Sequence, residues 1–132
     1  MAGRFALALA LVLAGCATVR DDSLVDNPVY EAWGAPGWRV VIGDDIALRL
    51  GHDFFDGDIV SVIYRYPGVP ARTRGGVRRW RSSSAGSVIM VEVSPGPCVA
   101  LDRSLHRDNV RIVTRRHDLA GCGGGPVRRE PR

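Results

Sequence analysis

The stretch GSVIMVEVS, residues 86–94, decides the fold. Ile89, Val91 and Val93 fall on one side of it, and Val88, Met90 and Glu92 on the other. Period-two alternation with β-branched residues predicts a half-buried strand whose inner row is Ile89, Val91 and Val93. The SPGP that follows predicts a break.

Working outward, WRVVI and IALRL flank a Gly-Asp turn and predict a hairpin. Trp38, Val40 and Ile42 share one face of it, Ile46, Leu48 and Leu50 share that of its partner, and Arg39 and Arg49 take the wetter faces. GHDFFDGD is a loop whose Phe54 and Phe55 point to a fold-back onto the core, and IVSVIYRY is a further strand. Pro67, Gly68, Pro70, Gly75 and Gly76 leave no room for a long element, and VRRWRS reads as a short polar strand carrying Trp80 in or near the core. Beyond Cys98, VALDRSLHRDN fits neither period, so a turn of helix and a structured loop are both open. NVRIVTR and HDLAG predict a last hairpin. The expectation is one all-β domain over 29–123: a small antiparallel β-barrel or strongly curved sheet of about six or seven short strands, with a sandwich as the alternative. Residues 124–132 lack apolar periodicity and are expected to be a disordered tail.

The chain has 132 residues and opens MAGRFALALALVLAGCATV. A basic start at Arg4, an apolar run from Phe5 to Leu13 and small residues after it make up a secretory leader over 1–15. The run is well short of the roughly 20 residues that span a bilayer. Leu13-Ala14-Gly15-Cys16 resembles the lipobox of bacterial lipoproteins. That resemblance implies cleavage before Cys16, lipid on its sulfur and acylation of the new amino terminus, which together anchor stably where a single chain does not. Ala17 after the cysteine resembles the sorting pattern of outer-membrane lipoproteins, so the expected address is the outer membrane, facing the periplasm. An ordinary secretory signal that contains a cysteine is the alternative. Residues 16–28 read as a tether between lipid and domain.

Cys98 and Cys122 then remain. In an oxidising compartment the pair predicts a disulfide closing a loop of about 25 residues, worth roughly 3 to 4 kcal/mol. Two free thiols and a zinc site built from Cys98, His106, His117 and Cys122 are the competing readings, although the zinc spacing matches no structural knuckle.

All 18 basic residues are Arg, a compositional bias that weakens each one as a recognition signal. Within ARTRGGVRRWRSSS, Arg72, Arg74, Arg78, Arg79 and Arg81 surround an aromatic residue, a pattern that suits nucleic-acid or phosphate binding. An exported, anchored chain meets lipid head groups and envelope polysaccharide, not nucleic acid, so these five are candidates for contact with an anionic surface. The alternative is a solvated face. Asp53, Asp56 and Asp58 fail the ligand pattern of a calcium loop. No nucleophile elbow is present, and His52-Asp53 and His117-Asp118 are expected on opposite faces if they lie in strands. No catalytic residue, metal ligand or cofactor is therefore assigned. The expected function is a non-catalytic binding or structural module, held on the membrane by acylated Cys16, with an envelope protein or polysaccharide as partner. The alternatives are an inhibitor of a cell-wall hydrolase such as lysozyme, inserting a loop between Pro67 and Gly76, and an envelope hydrolase.

The order of the leader, YEAWGAPGWRVVI, and CVALDRSLHRDNVRIV ending in LAGC resembles a family of small uncharacterised bacterial envelope proteins described as lipoproteins or membrane proteins. Its members show a Gly-Thr-Glu-Pro-Phe-Trp start, a cysteine ahead of an Asp-Gly-Met-Ser-like segment and a closing Gly-Cys. Gly34, Pro36 and Trp38 match the first motif, Cys98 the second, and Gly121 with Cys122 the third. The motif's Glu is absent here and Gly37 replaces its Phe, so the resemblance implies fold, bridge and address without a chemistry. The likeness to small β-rich lysozyme-inhibiting lipoproteins is looser and lies at the level of fold.

Overall fold

A computed structural model describes residues 24–126. Nine strands lie among them: β1 (Tyr30–Gly34), β2 (Trp38–Ile42), β3 (Asp45–Gly51), β4 (Ser61–Pro67), β5 (Arg72–Arg74), β6 (Val77–Ser84), β7 (Ser87–Val99), β8 (Leu105–Thr114) and β9 (Asp118–Pro126). They form one antiparallel sheet in the order β4-β3-β2-β1-β9-β8-β7-β6-β5. Two meanders, β1–β4 and β5–β9, meet where Ala32 and Trp33 pair with Gly123 and Cys122. The sheet curls strongly into a half-barrel. Across its opening the Ser82 hydroxyl on β6 donates to the Pro67 carbonyl on β4 at 2.6 Å.

The alternation read from the sequence builds the inside of this curl. Trp38, Val40 and Ile42 on β2, Ile46, Leu48 and Leu50 on β3, and Ile89, Val91 and Val93 on β7 are all buried in one core. Each such side chain contributes about 1.5–3 kcal/mol of burial. Trp80 joins them, and Phe54 and Phe55 pack against the cluster from the loop after β3.

Nine strands stand where the sequence predicts six or seven, and β1 and β5 are the additions. β1 turns inward through Tyr30 and the small Ala32, which carry little hydrophobic signal. β5 is three polar residues that pair with Val77–Arg79. SPGP does not end β7. The strand runs on to Val99 through a register shift between Pro95 and Cys98, since a bulge lets prolines sit in a strand where their missing N–H is not needed. β9 extends to Pro126, beyond the boundary expected at 123. Residues from Leu24 onward, expected to belong to the tether, dock on the outer face of the first meander. Val25 packs with Val41 and Ala47, and Asp44 N–H donates to the Asp26 carbonyl at 2.9 Å. Cys16, the expected lipidation residue, and the tail beyond Pro126 lie outside the described residues.

Candidate functional site

The arginine run folds as the β5–β6 hairpin, closed by Gly75 and Gly76, both at positive φ. Strand alternation then divides its five arginines. With Trp80 turned inward, Arg78 and Ser82 share the inner row of β6, while Val77, Arg79 and Arg81 face out. Arg72 pairs opposite Arg79, and Arg74 opposite Val77, so both join the outer face. The structure brings four of the candidates together and separates Arg78 from them.

Arg78 is held by other groups. Its guanidinium lies 4.9 Å from the centre of the Tyr30 ring and 5.6 Å from that of Trp80, which suits cation–π attraction. It also stands 3.5 Å from Asp108 Oδ2. The same carboxylate oxygen accepts a 2.8 Å hydrogen bond from the Tyr30 hydroxyl. Burial, then the hydrogen bond to Asp108 and its negative charge, push the Tyr30 phenol well above its ordinary pKa, against the opposing effect of Arg78. Arg78 is therefore part of the wall of the half-barrel, with its side chain 40% exposed, and stands apart from the four arginines of the outer face.

On the outer face Arg72, Arg74, Arg79 and Arg81 line a groove of 860 Å³ over Val69, Val77 and Met90. Arg79 Nε is neutralised by Glu92 Oε2 at 2.7 Å. Among the described residues no ion pair reaches Arg72, Arg74 or Arg81. The groove continues to a second hollow of 500 Å³ that contains Arg115, from the turn between β8 and β9. Arg115 and Arg116 lie outside the basic run read from the sequence. Their only signal was an Arg pair in a turn, and which hollow that turn borders depends on the curl of the sheet.

Trp38, Gly34, Gly121 and the two cysteines, which carry the resemblance to envelope proteins, converge elsewhere, at the junction of the two meanders. Trp38 is buried with its ring against two glycines. A Cβ at Gly34 would stand 2.8 Å from that ring, and one at Gly121 would stand 2.6 Å from it and 2.2 Å from the Trp33 carbonyl oxygen. Only a residue without a Cβ permits this approach. Pro36 follows in the exposed turn after a cis peptide bond. Alongside runs the disulfide Cys98–Cys122, with Cα atoms 5.6 Å apart, tying the end of β7 to β9 across β8. The zinc reading is thereby overturned, because both thiols are consumed in the bridge. Trp38, Gly34 and Gly121 thus pack the two meanders closely together.

Asp102, Ser104 and His106 lie together but not in the order of a nucleophilic triad. The Ser104 hydroxyl donates to Asp102 Oδ1 at 2.5 Å, and His106 Nε2 lies 2.8 Å from the same Oγ. In a nucleophilic triad the imidazole stands between carboxylate and hydroxyl. Here the hydroxyl stands in the middle with its proton directed at the carboxylate, and His106 Nδ1 is buried without a hydrogen-bond partner. His52 and Asp53 do meet, at 3.0 Å, contrary to the opposite-face expectation, because they lie in a turn of 3-10 helix and not in a strand. Both are well exposed. His117 packs edge-on against Phe54 at 5.6 Å between ring centres, while Asp118 pairs with Arg111. Among the described residues no three His, Cys, Asp or Glu side chains are grouped to hold a metal ion. The segment from Pro67 to Gly76 is not a free loop: Val69 packs on the core and Arg72–Arg74 is strand β5.

No protein-family model, curated protein or solved structure matches the chain.

Proposed function

We propose that this chain is a lipoprotein of the bacterial cell envelope, anchored through acylated Cys16 on the outer membrane and facing the periplasm, whose domain is a non-catalytic module for binding anionic material. One observation carries the binding function: Arg72, Arg74 and Arg81 lie together on an outer face with no carboxylate partner among the described residues. Guanidinium groups left without internal partners are available for charge-assisted, bidentate contacts to carboxylate, phosphate or sulfate. The leader and its lipobox support the address, and a Cys98–Cys122 bridge is in keeping with an oxidising compartment. The resemblance to small envelope proteins supports the same address. The serine-centred order of Asp102, Ser104 and His106 argues for binding over hydrolysis.

Two measurements test this reading on the full-length protein expressed in a Gram-negative host. The mass of the detergent-extracted protein is expected to equal the chain from Cys16 onward plus acyl groups, and an unprocessed leader contradicts the anchor. Retention of the Cys16→Ser chain, which lacks the acyl anchor, on washed envelope fragments is expected to fall when Arg72, Arg74 and Arg81 are also changed together to Gln, with an unchanged near-ultraviolet dichroism spectrum. Equal retention contradicts the binding face.

A further inference from the structure

We infer that the outer arginine face is one end of a continuous track for a linear anionic polysaccharide. This rests on the binding function proposed above and adds its ligand class. Three hollows adjoin along the surface, of 860, 500 and 410 Å³. The first two share Arg81 and Met90, and the second and third share Gly86, Thr114 and Arg115. The third ends at the opening of the half-barrel, against Tyr64, Tyr66 and His117. No Asp or Glu lines any of the three.

The far end of the track is held in shape. Thr114 Oγ1 accepts hydrogen bonds from the backbone N–H groups of Arg116 and His117 at 3.3 and 3.1 Å, and Thr114 N–H donates to the His117 carbonyl at 2.8 Å. The turn that displays Arg115 and Arg116 is thus built before any ligand arrives. The shape of the path selects the ligand class. A planar bilayer can lie against the outer face of β5 to β7, but it cannot follow the track into a hollow bounded by β3, β4 and two hairpin turns. A flexible chain can. Cations spaced over apolar patches at Val69, Val77 and Met90, with the half-exposed Tyr64 ring at the end, suit a polymer whose sugar rings present C–H faces between regularly spaced acidic groups.

The test uses the full-length protein and fluorescently labelled oligogalacturonates, with heparin-derived oligosaccharides as a second anionic series. Affinity is expected to rise from dimer to octamer in at least one series and to fall with added salt. Arg81→Gln combined with Arg115→Gln, which cuts the track where its hollows join, is expected to weaken octamer binding about tenfold and dimer binding much less. Octamers that bind no tighter than dimers in both series overturn the inference, as does equal binding of neutral malto-octaose or of polyglutamate of matched charge. Vesicles of phosphatidylglycerol and phosphatidylcholine, offered to the Cys16→Ser chain so that acyl insertion does not contribute, separate the two levels. If the arginine changes weaken vesicle binding and leave octamer binding untouched, the anionic face stands and the polysaccharide track falls. If neither binding depends on these arginines, both fall.

Discussion

Arg78 and Arg81 stand three residues apart on one strand and have opposite circumstances. Arg78 faces inward, between Tyr30 and Trp80, within reach of Asp108. Arg81 faces outward into a groove without a carboxylate. The two rows of β6 show that the meaning of an arginine in this chain is set by strand parity, not by its place in a basic run. The inner row contributes to stability and the outer row is free to contribute to binding. Changes to each row should therefore separate the two properties.

The largest effect is expected at Trp80, the buried centre of the inner row. Trp80→Ala should lower unfolding free energy by about 3–5 kcal/mol in urea titrations, the range for deleting a large buried aromatic. Asp108→Ala is expected to cost about 2 kcal/mol, because Tyr30 loses its acceptor and Arg78 its counter-charge, with solvent access to Arg78 tempering the loss. A small change in either variant would mean that the inner row is not the stabilising one.

The alkaline limb of stability sharpens the contrast further. A phenol whose folded pKa lies above its unfolded value of about 10 favours folding while protonated. That contribution is complete below about pH 10 and is lost as the pH rises towards the folded pKa. The chain has no Lys and only 3 Tyr, so few groups other than tyrosine hydroxyls titrate in this window. Urea midpoints are expected to fall as the pH rises above about 10, and the fall should be shallower in Asp108→Asn, which removes the charge that helps raise Tyr30. The smallest stability effect belongs to the outer row: Arg81→Gln should stay within about 0.5 kcal/mol of the parent.

Parity also marks what could be seen in the sequence. The rows Trp38-Val40-Ile42, Ile46-Leu48-Leu50 and Ile89-Val91-Val93 were legible because large apolar residues alternate with polar or outward ones, and a curled sheet needs that inner surface. β1 was hidden because its inward positions hold Ala32 and Gly34, whose small size reflects the close junction with β9 and the Trp38 ring, a long-range constraint. The division of the arginines was within reach, since an inward Trp80 already places Arg78 inside and Arg79 and Arg81 outside. The partners of Arg78 were not within reach, because Tyr30 and Asp108 are 78 positions apart. The continuation of the groove to Arg115 was hidden for the same reason. The bridge was legible from the cysteine count and the expected compartment, and the bulge that brings Cys98 to it was not.

The most direct test compares Arg78→Gln with Arg81→Gln in the full-length protein, measuring urea stability and affinity for octagalacturonate on the same samples. The expected result is a crossed pattern: Arg78→Gln loses stability and keeps affinity, whereas Arg81→Gln keeps stability and loses affinity by several-fold. Equal loss of affinity in both variants, or none in either, would contradict the division of β6 into a structural and a binding row.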